Sequence, residues 1–322
     1  LSIEMTMSEP KIRELVVTAQ TMGRVLESFL PQLKEAGWNV VCSFPRGQAH
    51  SAEELAKLSA DSDALIIGDD DASADFFARC GQRLGLVVKW GVGTDAIDFN
   101  AASERGVLVR NTPGMFGPEV ADLAMGFVLA LARNITRVHN GVVGGDWPQP
   151  QGVTLAGRTI AIVGMGDIGS NLAQRCLAFG MDVLFHDPHV AHINGTLSGV
   201  GITEAFEGGD FVVLTCPSTA ETRGIASRPM LSRMKKGAFL VNVARGDLVN
   251  EAHLAEALRA GSLGGAALDV FEQEPLEGTS PLRTLDSVIF GAHNGSNTSE
   301  ALMRASEKAV GLLLSWSAGG EV

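Results

Sequence analysis

"AIVGMGDIGS", residues 161–170, is the stretch on which the fold turns. An apolar run ends there in Gly164, Gly166 and Gly169, spaced G-x-G-x-x-G, and the helical pattern "DIGSNLAQRCLAFG" (167–180) follows at once. Between a strand and a helix each glycine has a task. The first permits the turn, the second lets a pyrophosphate approach the backbone, and the third lets helix and strand pack closely, with unpaired amides at the helix start facing the phosphates. Asp187 closes the next apolar run, "MDVLFHD" (181–187). A carboxylate at that place accepts from both ribose hydroxyls and repels a 2'-phosphate. The spacing predicts a dinucleotide-binding unit that takes NAD, with Gly164, Gly166, Asp167, Ile168, Gly169 and Asp187 at the cofactor.

The same alternation continues on both sides. "RTIAIVG", "DFVVLTC", "AFLVNVA", "LGGAALDV" and "SVIFGAH" are continuous apolar runs of the kind buried parallel strands show, with helical stretches such as "EAHLAEALRAG" between them. Upstream, "RELVVTA", "NVVCSF", "DALIIG", "GLVVKW" and "GVLVRN" form a second βα-repeating unit that ends near Thr112, with "TMGRVLESFLPQLKEAG" (21–37) read as an amphipathic helical stretch. From Pro118 one long helix is expected through "EVADLAMGFVLALARNITRVHN" (119–140). Its apolar residues surround nearly the whole helix, so one face should meet a core and another a partner subunit. "VVGGDWPQPQG" (142–152) has the composition of a loop or arm around an exposed Trp147, and a last helix over about 298–318 should pack back on the first unit.

Composition narrows the function. The 322 residues suit two domains, and 38 glycines against an average usage of about 7% suit the many turns of an α/β protein. A net charge of -12, with no basic run, argues against a nucleic-acid partner and for a small ligand. Cys42, Cys80, Cys176 and Cys216 are scattered without metal-ligand or disulfide spacing, so reduced thiols in the cytoplasm and no metal are expected. The most apolar stretch, "ADLAMGFVLALA" (121–132), is too short to span a bilayer, and "LSIEMTMSEP" lacks the basic and apolar regions of a secretion signal. Residues 1–6 are set aside from the fold reading as foreign or upstream sequence.

Ligands of open α/β sheets bind beyond the carboxyl ends of the strands, so the residues just past each run matter most. Arg245 follows one strand end, Asp269 and Glu274 another, and His293 a third, within "GAHNGSNTSE" (291–300). A base, an acid and an arginine thus converge. The plainer alternative is a surface pair of Arg245 with Glu274 and a solvated His293 loop.

"GMGDIG", "VNVARGDLVNE", "ALDVFEQEP" and "HNGSNT", in this order, resemble the D-isomer-specific 2-hydroxyacid dehydrogenase family, and "KWGVGTDAID" (89–98) and "NTPGMFGPEVADLAMGFVLALAR" (111–133) resemble its short phosphoglycerate-dehydrogenase-like members. The likeness covers almost the whole chain. It implies an α/β fold of two doubly wound parallel-sheet domains: a Rossmann-type NAD domain (113–295) inserted into a flavodoxin-like substrate domain (1–112 and 296–322), with the active site in the cleft between them. It further implies that Arg245 binds the substrate carboxylate and carbonyl oxygen, that His293 exchanges the proton, and that Glu274 orients the ring. Asp269 is assigned to the nicotinamide carboxamide, Cys216, Pro217 and Gly295 to the cofactor lining, and Gly91, Val92 and Gly93 to the substrate carboxylate through their amides. Lys89 matches the place of an arginine in some phosphoglycerate dehydrogenases and could meet a substrate phosphate; a solvated strand-end lysine is the plainer reading. Asp167 departs from the family's basic or neutral residue and is expected to point to solvent or to cap its helix, and Asn294 departs from an apolar one. The implied activity is NAD-dependent interconversion of a small D-2-hydroxy acid and its 2-oxo acid by a cytoplasmic homodimer. Alternatives are D-3-phosphoglycerate dehydrogenase proper and an NAD-responsive binding protein of the corepressor kind.

Overall fold

The glycine-terminated run at 159–163 lies inside a six-stranded parallel sheet in the computed structural model, which describes residues 12–193 and 197–320. Residues 1–6 lie outside the described residues. The chain divides into two compact units, Leu1–Met115 with Asn297–Val322, and Phe116–Ser296.

In the first unit β1 (Arg13–Val17), β2 (Trp38–Cys42), β3 (Ala64–Ile67), β4 (Leu86–Lys89) and β5 (Leu108–Asn111) pair in the order β2-β1-β3-β4-β5, all parallel. This is the doubly wound flavodoxin-like order. β3 and β4 are buried at every position, as strands covered on both faces must be. The stretch read as one helix over 21–37 is instead α1 (Gln20–Gly23), a 3-10 turn (Leu26–Ser28) and α2 (Leu30–Glu35). Pro31 explains the break: it lacks the amide an interior helical residue must donate, so it stands in the first turn of α2. Three more helices, α3 (Ala52–Leu58), α4 (Ala74–Arg79) and α5 (Phe99–Glu104), connect the remaining strands.

The second unit opens with α6 (Gly117–Arg133) and α7 (Ile135–Val143). The single helix expected over 118–140 is interrupted at Asn134, whose φ of +54° is left-handed, a state Asn tolerates because its short polar side chain can bond locally. The apolar girth of α6 is used within this unit. Val120, Ala124, Phe127, Val128 and Leu131 are buried, and the helix packs on α8 (Asp167–Ala178) and on the sheet. By contrast α7 buries nothing and exposes Ile135, Val142 and Val143, with Trp147 just beyond.

The sheet itself comprises β6 (Thr159–Val163), β7 (Asp182–His186), β10 (Phe211–Leu214), β11 (Phe239–Asn242), β12 (Gly265–Leu268) and β13 (Val288–Phe290). A two-stranded ribbon of β8 (His192–Ile193) and β9 (Leu197–Ser198) follows β7, and α9 (Ile202–Gly208), α10 (Arg228–Leu231) and α11 (Glu251–Arg259) lie between later strands. The order β13-β12-β11-β10-β6-β7 reverses direction between β6 and β10, the switch point at which open α/β sheets bind ligands. Register then aligns the strand ends. Phe290, Leu268, Asn242, Leu214, Val163 and His186 form one row across the sheet. The chain after α11 and β13 closes with α12 (Ser299–Ser317), capped by Thr298 and belonging to the first unit, where its Ser306 accepts from Trp90 at 3.0 Å.

The left-handed Asn134 is testable. Asn134→Gly should leave the urea midpoint unchanged or raised, whereas Asn134→Val should cost about 1–2 kcal/mol, since a β-branched residue resists this conformation. Equal midpoints for the two variants would contradict the break.

Candidate active site

Each strand end in the aligned row is followed, within three residues, by a residue singled out from the sequence: Gly164, Asp187, Cys216, Arg245, Asp269 and His293. At the glycine loop the three glycines meet three different constraints. Gly164 takes a φ of +100°, and a Cβ there would lie 2.6 Å from the Cys216 amide nitrogen. A Cβ on Gly169 would lie 2.1 Å from the Gly164 carbonyl oxygen, so helix α8 can start this close only without a side chain. A Cβ on Gly166 would meet nothing within 4 Å: the backbone there opens onto space. Thr215 Oγ1 fixes the turn by donating to Gly164 O at 2.6 Å. Asp187 is fixed by two amides, Met165 N to Oδ2 and His189 N to Oδ1, each at 2.8 Å. Ile168, the second residue of α8, is half-buried.

Cys216 is buried, and burial pushes its thiol up to about 11, while Pro217 beside it is exposed. Ser218 Oγ donates to Asp247 Oδ2 at 2.6 Å, and Arg223 Nε donates to the same oxygen at 2.9 Å. Asp247 therefore ties the segment after β10 to the turn that carries Arg245. Asp247 lies within "VNVARGDLVNE", where no local pattern signals this bridging contact. Asn242 builds that turn, accepting from Ala244 N at 3.1 Å and donating to Arg245 O at 2.7 Å, and Arg245 itself is half-buried.

Glu274 and His293 are brought together. Glu274 Oε2 stands 2.7 Å from His293 Nδ1, and Oε1 accepts from Phe271 N at 2.9 Å, so the carboxylate is held before it meets the ring. Both side chains are largely shielded, at 26% exposure for the histidine and 19% for the glutamate. The solvated-loop alternative for His293 gives way to this pairing. The Arg245 turn still touches the Glu274 loop, since a Cβ on Gly246 would fall 1.9 Å from the Phe271 carbonyl carbon. Glu251 and Glu272 add a reciprocal clamp there, each carboxylate accepting the other residue's amide.

Asp269 is 2% exposed and its carboxylate is occupied. Oδ1 accepts from Asn294 N at 3.0 Å, Oδ2 from Gly295 N at 2.9 Å, and the Asp269 carbonyl from His293 N at 2.7 Å. His293 sits at a φ of +52°, an uncommon state for a residue with a Cβ. The three bonds to Asp269 hold it there. Asp269 thus positions the histidine loop, and Asn294 and Gly295 contribute through their amides.

In the first unit Lys89 is not a solvated strand-end lysine. It is 5% exposed and donates to Asp69 Oδ1 at 2.9 Å and to the Trp90 carbonyl at 3.3 Å. The adjoining turn has Gly91 at a φ of +137° with its amide given to Thr112 Oγ1 at 2.9 Å, an exposed Val92 and a half-buried Gly93. Of the two expectations for Asp167, solvent exposure holds and capping does not. It is exposed, but the N-cap of α8 is Gly166 and the aspartate makes no capping bond; its carboxylate lies against Gly117 at the start of α6 and accepts from Asn171 Nδ2 at 3.1 Å. Among the described residues no group of three or more His, Cys, Asp or Glu side chains is arranged to hold a metal, and no helix is long and apolar enough to cross a membrane.

Residues 125–295 match the family model described as D-isomer specific 2-hydroxyacid dehydrogenase, NAD binding domain. The chain belongs to this family. It is 38% identical over 268 residues to the D-3-phosphoglycerate dehydrogenase of Methanocaldococcus jannaschii, a match that covers 81% of this chain and 50% of that protein. It is 37% identical over 256 residues to the hydroxypyruvate reductase of Thermotoga maritima, covering 78% and 84%. This chain therefore spans about half the length of the phosphoglycerate dehydrogenase and most of the reductase. Among solved structures, the TT0316 protein of Thermus thermophilus superposes with a TM-score of 0.87 at 34% identity, over 96% of this chain and 98% of that one. The second unit is thus the NAD binding domain, and its residues fit the cofactor: open space at Gly166, the first amides of α8, and an anchored Asp187 at the next strand end.

The buried thiols give a test. With Cys216 pushed up to about 11 and Cys176 to about 12 by burial, under ~1% of either is thiolate at pH 8. Iodoacetamide at pH 8 should label exposed Cys42 first and reach Cys176 and Cys216 only after unfolding. Rapid labelling of Cys216 in the native protein, read by mass spectrometry, would contradict this burial.

Proposed function

We propose that this chain is an NAD-dependent oxidoreductase that interconverts a small D-2-hydroxy acid and its 2-oxo acid. The observation that carries the proposal is the 2.7 Å pairing of His293 Nδ1 with Glu274, placed at the same edge of the sheet as the NAD loop. An ionised carboxylate only accepts, so Nδ1 carries a proton and Nε2 is the nitrogen that exchanges one. Bound NAD supplies or takes up the hydride at the substrate carbon. During reduction negative charge grows on the carbonyl oxygen, where His293 Nε2 donates a proton and the Arg245 guanidinium stabilises the charge and grips the carboxylate. Glu274 favours the protonated ring, and Asp269 keeps the ring in position.

The first unit is assigned to substrate. Because the Gly91 amide is given to Thr112, the carboxylate-binding reading narrows to the amides of Val92 and Gly93. Lys89, already paired with Asp69, favours an unphosphorylated acid over 3-phosphohydroxypyruvate. The exposed apolar face of α7 with Trp147 supports a homodimer, and four free cysteines, three of them buried, suit a reducing cytoplasm. A monomer by light scattering at micromolar concentration would remove the dimer reading.

The activity is tested by following NADH and NADPH absorbance with glyoxylate, hydroxypyruvate, pyruvate and 3-phosphohydroxypyruvate. Turnover is expected with at least one unphosphorylated acid, and with NADH over NADPH because Asp187 repels a 2'-phosphate. No turnover with any of the four would overturn the enzyme reading in favour of a binding protein.

The pairing predicts two different pH profiles. A carboxylate beside the ring favours imidazolium, so Glu274→Gln should move the pH optimum of reduction to more acidic values while the protein stays folded. His293→Gln should depress both directions across the pH range by at least the 10²-fold typical of a lost acid–base group. An alkaline shift for the first variant, or near-normal turnover by the second, would contradict the assignment.

A further inference from the structure

The glycine loop carries a negative charge where its ligand is negative. Asp167 follows Gly166 directly and is the first residue of α8, so its amide belongs to the anion-binding turn while its carboxylate hangs from the same Cα. Covalent reach and hydrogen-bond length together put a phosphate held by that turn on the order of 6 Å from the carboxylate.

The carboxylate has another partner. It lies flat on Gly117: a Cβ there would fall 2.2 Å from Oδ1 and 2.4 Å from Oδ2. Gly117 is the first residue of α6, whose N-cap, Phe116, supplies no side-chain bond. One carboxylate therefore serves the positive ends of two helices, α6 and α8, and Asn171 Nδ2 steadies it at 3.1 Å. Gly117 has to be glycine for this contact, because any side chain would displace the carboxylate.

We propose that Asp167 is a determinant of cofactor affinity: it stabilises the cofactor-free NAD domain at two helix ends while its charge weakens the hold on the pyrophosphate and speeds release of NAD(H). The inference rests on the NAD reading of the loop. It gives Asp167 a purpose that neither solvent exposure nor capping provides. Cofactor release limits turnover in many well-evolved enzymes, so a charge that shortens the bound lifetime favours rapid exchange. A unit charge at this distance from one or two phosphate charges, in aqueous surroundings, changes affinity roughly three- to tenfold.

The test is NADH binding by fluorescence titration, and NADH release by stopped flow, for wild type, Asp167→Asn and Asp167→Ser. Asp182→Asn serves as the control, since it removes the same charge from the opposite end of β7. Both Asp167 variants should bind NADH three- to tenfold more tightly at low ionic strength and release it more slowly in proportion. The gap should close near 0.5 M salt, where the screening length falls to a few ångströms. Without cofactor the Asp167 variants should melt slightly below wild type, and the Asp182 variant should match wild type in affinity. Unchanged or weaker binding by both folded Asp167 variants at low salt overturns the proposal, as does an equal tightening in the Asp182 control. Failure of the wild type to bind NADH would overturn the NAD reading itself and this proposal with it.

Discussion

A buried carboxylate that accepts backbone amides from a distant loop is the interaction on which this site depends. Asp269 follows β12 directly and takes Asn294 N and Gly295 N on its two oxygens while its carbonyl takes His293 N. A carboxylate 2% exposed is tolerated only when such bonds replace the water it has lost. The same bonds hold His293 in a left-handed conformation that an unsupported residue would leave. The site is therefore bound to the core strand beneath it rather than resting on a mobile loop. Gly291 and Gly295 allow the approach, since a Cβ on Gly291 would lie 2.2 Å from Asp269 Oδ1.

The sheet then converts alignment into chemistry. Six parallel strands stop in register, and the chain that leaves each stop carries one of the residues the proposed function uses. Parallel strands send their carboxyl ends the same way, so residues far apart in sequence reach one edge. Supporting contacts bind these exits together: Asp247 holds the segment of Ser218 and Arg223, Gly246 admits the Phe271 backbone, and Glu251 clasps Glu272. Burial pushes the Glu251 carboxyl up, and the neighbouring Glu272 charge adds to the rise.

Much of this was legible before any coordinates. Apolar runs of four to six residues named the strands, because a strand buried on both faces has no room for polar side chains. The glycine loop was legible for a different reason: each glycine answers a steric demand made within a few residues, and Gly164 and Gly169 are forced by contacts of 2.6 and 2.1 Å. The helices were less secure. Asn134 and Pro31 each interrupt a pattern that periodicity alone carries through, since periodicity measures which face is apolar and not whether the backbone continues.

The sequence by itself determined the α/β class, the two sheets, the glycine loop and the identity of the strand-end residues, because all of these follow from local backbone and burial requirements. Tertiary structure alone decided who meets whom. Glu274 and His293 are 19 residues apart and meet because β12 and β13 are neighbours; Asp269 turned out to hold the histidine loop because that loop passes over its strand end. Lys89 became a buried, paired cation, and Asp167 found Gly117, through contacts 20 and 50 residues away in the chain. A polar side chain's partner is set by packing across strands and helices, and no short window of sequence records that distance.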